Sequence, residues 1–157
     1  MTEELPRRVD GIAGLKALVG VEIGPSAPLV VDAAMVQAFA DATGDHQWIH
    51  LDAERAKKEG PWGGPIAHGY LVLSLVPQML FKRLLKVDGV KAVINYGIDK
   101  LRFPDVTRVG ASLTVRAKLA ELVEKPAGTL AKFEVVFTAE GSSKPSCAAE
   151  ILVMFTG

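Results

Sequence analysis

A chain of 157 residues has room for one core of ordinary size and not two, and 49% hydrophobic with 23% charged residues describes a folded globular domain rather than a disordered or fibrous one. Eighteen lysines and arginines balance eighteen aspartates and glutamates, with no basic run to hold a phosphate backbone, which argues against a nucleic-acid partner. The longest apolar run, residues 71–76, is interrupted by Ser74 and stopped by Pro77, far short of the ~20 residues of a membrane span, and the opening residues lack the order of a secretory signal.

Taken in chain order, residues 1–12 read as a loose N-terminal segment of a single domain spanning 1–157. Asp32 is a good helix cap, and Met35, Val36, Phe39 and Ala40 repeat at helical spacing until Thr43-Gly44 ends the pattern. Asp52 caps a second short helix that closes at Glu59-Gly60-Pro61. After a glycine-rich turn, residues 66 to about 85 are apolar and rich in Leu, which predicts a buried central helix kinked or divided at Pro77. From Val90 onward the period becomes two. Leu113, Val115, Ala117 and Leu119 should face inward on one strand, and Phe133, Val135, Phe137 and Ala139 on another, with residues 148–155 a more continuous apolar strand.

Helices first and an antiparallel meander afterwards imply an α+β layer architecture in which a curved sheet covers its apolar face with the long helix. Such a sheet leaves an open edge, so a homodimer or higher homo-oligomer is expected. The single cysteine, Cys147, sits before an apolar run and reads as a buried structural thiol; with no disulfide available within the chain, the cytoplasm is the default compartment.

Titratable groups crowd into one stretch. His46, His50 and His68, the chain's three histidines, lie within 24 residues that also hold Asp45 and Asp52. Asp45 follows a helix-ending glycine and His50 precedes the next cap, so both belong to an inter-helix loop able to point two side chains into one cavity. Two other readings stay open on the residues alone: Asp45 and His50 as hydrogen-bonded turn residues, or His46, His50 and His68 as metal ligands, although Gln47-Trp48-Ile49 lacks the glutamate of the helical zinc motif. Trp48, Trp62 and Tyr70 are candidates for an apolar pocket, and Lys82, Arg83, Lys100 and Arg102 for pairing with phosphates.

The run Thr43-Gly44-Asp45-His46-Gln47-Trp48-Ile49-His50-Leu51-Asp52, followed by Pro65-Ile66-Ala67-His68-Gly69, resembles the hydratase-2 motif of the MaoC-like dehydratases, the family of the (R)-specific enoyl-CoA hydratases and the nodulation protein N group. Asn95-Tyr96-Gly97 and residues 101–106 extend the likeness. Where the commoner motif has Asn-Pro, Gln47-Trp48 stands here, as in the nodulation protein N branch, which bears on substrate choice more than on the reaction.

The resemblance implies a hot-dog fold and reversible hydration of a 2-enoyl-CoA thioester, with His50 as the base, Asp45 as its partner and proton relay, and the Gly69 N–H as oxyanion donor. It also implies a substrate site drawing on Gln47, Trp48, Ile66, Ala67, His68, Tyr70 and Arg102. Coenzyme A would be part of the substrate, and neither a metal nor another cofactor is called for. Hot-dog proteins also include thioesterases, and a binding module without turnover is a third reading.

Overall fold

The computed structural model describes residues 5–157. In chain order they form β1 (Arg7–Asp10), α1 (Gly11–Lys16), β2 (Glu22–Ile23), β3 (Leu29–Val30), α2 (Ala33–Thr43), α3 (Trp48–Leu51) and α4 (Ala53–Glu59). There follow α5 (Gly69–Ser74), α6 (Val76–Gln78), a π-helical stretch Met79–Leu84, β4 (Leu85–Asp88), β5 (Ala92–Arg102), β6 (Ser112–Lys125), β7 (Gly128–Ala139) and β8 (Cys147–Thr156).

The principal sheet runs β2-β6-β7-β8-β5, with β3 also on β6, and every pairing in it is antiparallel. The alternation read from the sequence is present: Leu113, Val115, Ala117 and Leu119 on β6, and Phe133, Val135, Phe137 and Ala139 on β7, are all buried. They pack against Leu71, Val72, Leu75, Val76, Met79, Leu80 and Leu84 from the helical layer. Phe81 meets Phe133 and Phe155 edge-on at 5.8 and 6.0 Å, so aromatic contact ties that layer to the sheet. Burying Phe133 and Phe155, both almost wholly shielded, contributes about 2–3 kcal/mol each by area, and half-buried Phe81 adds a smaller share.

Four expectations need correction. Residues 7–10 are not loose: they pair in parallel with Leu85–Asp88, closing a small second sheet; residues 1–4 of the expected loose segment lie outside the described residues. The central helical run starts at Gly69 rather than 66, because Ile66 is extended in a bridge with Arg108; beyond it the path is divided around Pro77, as its sequence implied, into α5, α6 and the π-helical stretch. Proline supplies no N–H and its ring crowds the preceding turn, so a regular ladder cannot run through it. The strands are not a simple meander either, since β5 crosses to the far side and pairs with β8. Finally, His50 lies on the single-turn helix α3 rather than in a loop.

Candidate active site

Helix α2 ends where the sequence says it should. Asp32 accepts from the Met35 N–H at 2.8 Å to start it, and Gly44, at φ 83°, bends the chain away at its end. Glycine suits that left-handed turn because it has no Cβ to clash. The turn delivers Asp45 to the mouth of an open cleft of about 560 Å³ lined by Phe39, Thr43, Asp45, His68, Gly69, Tyr70 and Phe103.

His50 is 8% exposed and is held from behind. Its Nδ1 lies 2.6 Å from the carbonyl oxygen of Ile66, while the Ile66 N–H donates to the Ile49 carbonyl at 3.0 Å. A carbonyl only accepts, so Nδ1 carries a proton, and in the neutral ring Nε2 is the atom with the free lone pair. The segment around Ile66 is fixed in turn, because Ala67 donates to the Thr107 carbonyl at 2.7 Å and Val109 to that of Pro65 at 3.0 Å.

The Nε2 of His50 faces Asp45 Oδ2 at 3.7 Å. That separation is too long for a direct hydrogen bond. The other carboxylate oxygen, Oδ1, accepts from Gln47 Nε2 at 2.9 Å and from the Gln47 backbone N–H at 3.4 Å. Asp45 is thereby held below the ordinary aspartate range, chiefly by the Gln47 side chain, with its backbone N–H and the positive potential of His50 and His68 adding to it and desolvation opposing. The carboxylate is ionised at neutral pH.

His68, 3% exposed, places its ring 3.8 Å from that of His50, centroid to centroid, at an interplanar angle of 24°. Phe39 covers it at 4.9 Å. Its Nε2 donates to the Asp45 carbonyl at 2.9 Å, and its buried Nδ1 has no hydrogen-bond partner among the described residues. Gly69 begins α5, and none of the backbone hydrogen bonds among the described residues uses its N–H. A Cβ at Gly69 would stand 3.2 Å from Cγ, Cδ1 and Cδ2 of Phe103, so the ring of Phe103 occupies the space a side chain would need.

The three-histidine metal reading does not match this arrangement. His46 turns outward to Asp41 at 2.9 Å. Ligand atoms of Asp45, His50 and His68 do lie within 4.8 Å of one another. Two ring planes inclined by only 24° meet several ångströms beyond either ring, however, so in this arrangement the lone pairs of the two histidines do not converge on one point about 2 Å from both.

Other expected residues stand elsewhere. Trp48 carries the guanidinium of Arg55 over its ring at 4.4 Å and does not line the cleft. Trp62 lines a separate groove with Asp105 and Arg108. The guanidinium of Arg102 folds back on the Leu101 carbonyl, Lys100 pairs with Glu150 at 3.1 Å, and Arg83 donates to the Pro28 carbonyl. Ile66 and Ala67 serve through their backbone and lie buried beside the cleft. Of the predicted residues, Asp45, His68, Gly69 and Tyr70 line the cleft, with His50 behind it and Gln47 on Asp45.

Sequence reasoning passed over Phe39, Thr43 and Phe103 as cleft residues. Phe103 follows β5, whose register with β8 slips between Asp99 and Arg102, where Lys100 takes a positive φ of 51°. Such a bulge re-aims the chain beyond it. No simple sequence pattern announces that, though the run 101–106 had stood out for its likeness to the family.

Comparison with known proteins decides the lineage. A family profile of the MaoC like domain matches residues 15–138. The chain belongs to the MaoC-like dehydratase family. This MaoC-like chain is 41% identical over 150 residues, 95% of its length and 98% of the relative's, to 3-hydroxyacyl-thioester dehydratase Z of Mycobacterium tuberculosis. It is 39% identical to Nodulation protein N of Rhizobium meliloti over 88% of its own length and 86% of that protein. Among solved structures, an (R)-hydratase from A. caviae involved in PHA biosynthesis superposes with a TM-score of 0.67 at 28% identity, covering 86% of this chain and 97% of that one. A MaoC-like dehydratase from Rhodospirillum rubrum does so with a TM-score of 0.72 at 25% identity, covering 91% and 97%. The sheet wrapped on a helical layer is thus the hot-dog fold of the MaoC-like proteins.

Proposed function

We propose that this chain catalyses the reversible hydration of a trans-2-enoyl-CoA to the (R)-3-hydroxyacyl-CoA, using a water held between Asp45 and His50. The 3.7 Å gap between His50 Nε2 and Asp45 Oδ2 carries this reading. Two acceptors at that spacing can each lie about 2.8 Å from one oxygen at an angle of about 80°, close enough to the angle of water for a single molecule to donate to both.

In the hydration direction, the water oxygen forms its bond to C3 as His50 Nε2 takes one of its protons. The π electrons move to the thioester, and the Gly69 N–H donates to the oxygen on which charge develops. The proton held by His50 then goes to C2, so the sum is addition of H and OH with nothing left over. Ionised Asp45 orients the water and offsets the charge on the imidazolium. Gln47 lowers the Asp45 carboxyl further below its ordinary range and fixes its orientation, and Tyr70 and Phe103 wall the acyl cavity. The steps are proton transfers and one C–O bond, which call for no metal or redox cofactor; EDTA is expected to leave turnover unchanged. The names of the relatives at 41% and 28% identity, a thioester dehydratase and an (R)-hydratase, support the reaction class.

The assembly we propose is a homodimer through β5, which ends the principal sheet and leaves Val93, Ile94, Tyr96 and Ile98 exposed along an unpaired edge. The single buried thiol, Cys147, is in keeping with a cytoplasmic setting.

The test is to mix purified protein with crotonyl-CoA and with longer enoyl-CoAs. Loss of the conjugated-thioester absorbance with formation of (R)-3-hydroxyacyl-CoA is expected. Release of free coenzyme A would instead mark a thioesterase, and thermal stabilisation by the thioester without turnover would mark a binding module.

A further inference from the structure

His68 has no part in the chemistry just written, yet it is among the most buried polar residues of the chain and lies against both members of the proposed catalytic pair. Beside the backbone bond from the Ile66 N–H to the Ile49 carbonyl, two side-chain hydrogen bonds run in opposite directions between the 45–50 segment and the 66–68 segment. His50 donates from Nδ1 to the Ile66 carbonyl at 2.6 Å, and His68 donates from Nε2 to the Asp45 carbonyl at 2.9 Å. The stacked rings are the struts between those bonds. Asp45 and His50 are thus tied to the same short segment, one through each histidine. The 3.7 Å spacing between their reactive atoms is a dimension of that frame, and it is the exposed link of His46 and Gln47, between Asp45 and helix α3, that the Asp45 carbonyl bond holds in place.

We propose that His68 is a positioning residue: its Nε2–H clamps the Asp45 carbonyl and so sets the distance between the Asp45 carboxylate and His50. This rests on the hydratase reading for its effect on rate, but not for its effect on the loop. The clamp needs one N–H donor at the reach of Nε2. A glutamine amide nitrogen gets there, an asparagine amide falls short at the level of Nδ1, and leucine fills space without donating.

The experiment compares His68→Gln, His68→Asn and His68→Leu in the full chain by turnover, by melting, and by the NMR shift of the Gln47 side-chain amide, which reports its bond to Asp45 without any substrate. His68→Gln is expected to keep kcat within about 3-fold of the parent, while His68→Asn and His68→Leu lose about 30- to 100-fold in kcat with KM little changed, the scale of an ångström's misplacement. In those two variants alone the Gln47 amide should move toward its free value. A merely structural role predicts losses that follow melting temperature and no rescue by glutamine.

Equal activity in all three variants would overturn the clamp, and so would a glutamine variant as slow as leucine. If the parent hydrates no enoyl-CoA, the hydratase reading falls, and the Gln47 amide still decides the clamp: unmoved in His68→Asn and His68→Leu, it sinks the proposal; moved there and restored in His68→Gln, it upholds it.

Discussion

His50→Asn separates the base from the scaffold, because the two ring nitrogens of His50 do different work. The asparagine amide nitrogen can occupy the place of Nδ1 and keep the bond to the Ile66 carbonyl, while nothing replaces Nε2 opposite Asp45. What stability loses is part of the stack on His68 and some buried ring carbon, about 1 kcal/mol. His50→Ala differs, since it also orphans a buried carbonyl, at about 1–3 kcal/mol, and the two losses sum to about 2–4 kcal/mol. At about 2–4 °C per kcal/mol for a chain of this size, the asparagine variant should melt within about 4 °C of the parent and the alanine variant roughly 5–15 °C below it. Removing a general base costs about 10²–10⁴ in rate, so both variants should be slow to that degree despite their different stabilities. The assay is loss of enoyl-thioester absorbance beside a thermal melt of the same samples. An asparagine variant that retained more than about a tenth of parental turnover would falsify His50 as the base.

Burial pushes the Cys147 thiol up to about 11, so the native protein should resist a disulfide reagent at pH 8 and react once denaturant is added; fast labelling of the native state would contradict its placement. His46 is raised above its ordinary 6.5, chiefly by its hydrogen bond to Asp41, and Asp41 is lowered below 3.8 chiefly by the same bond. Stability from the raised histidine is fully present below 6.5 and fades as pH climbs through its folded value, while that from the aspartate is present above 3.8 and fades as pH falls through its own. The NMR titration of His46 should therefore have its midpoint above 6.5 and return toward it in Asp41→Asn; an unmoved midpoint would refute the pairing. Gly128 has φ 148°, and a Cβ there would overlap the Phe155 carbonyl, so Gly128→Ala should lower Tm by several degrees through about 1–3 kcal/mol of backbone strain; a melt unchanged from the parent counts against the turn as described.

The legible parts of this fold are those whose causes are local. Asp32 and Asp52 each accept the N–H three residues on, as their positions before apolar-periodic segments imply, and the alternating residues of β6 and β7 have one possible inner face. The parallel pairing of Arg7–Asp10 with Leu85–Asp88 joins segments almost eighty residues apart, and four polar-mixed residues carry no period to announce it. Placing β5 beside β8 is likewise a choice of topology that strand patterns do not encode. At the site, spacing alone left turn and metal readings open for Asp45, His50 and His68-Gly69, and it was the likeness of the whole run to a family motif that singled them out as neighbours. Trp48 misled because aromatic surface has two ways to be covered, and the cation of Arg55 supplied the one that spacing does not reveal. Phe103 lay in a run noted for its likeness to the family, but its place in the cleft was not legible for the opposite reason: it depends on a slip in strand register rather than on its neighbours in sequence.

That slip makes β5 a ruler with both ends in use. Along its length it presents an unpaired apolar edge, and just past its end it sets Phe103 on Gly69. Because side chains alternate sides at every residue, losing or gaining one residue between Asn95 and Arg102 would reverse what lies beyond, turning Phe103 from the cleft while shifting the edge out of step. One single-residue insertion or deletion would then alter substrate fit and self-association together. The turn between β6 and β7, at Pro126 and Ala127, lies at the far tip of a long hairpin and lines no part of the cleft, so length variation among descendants of this chain should gather there instead.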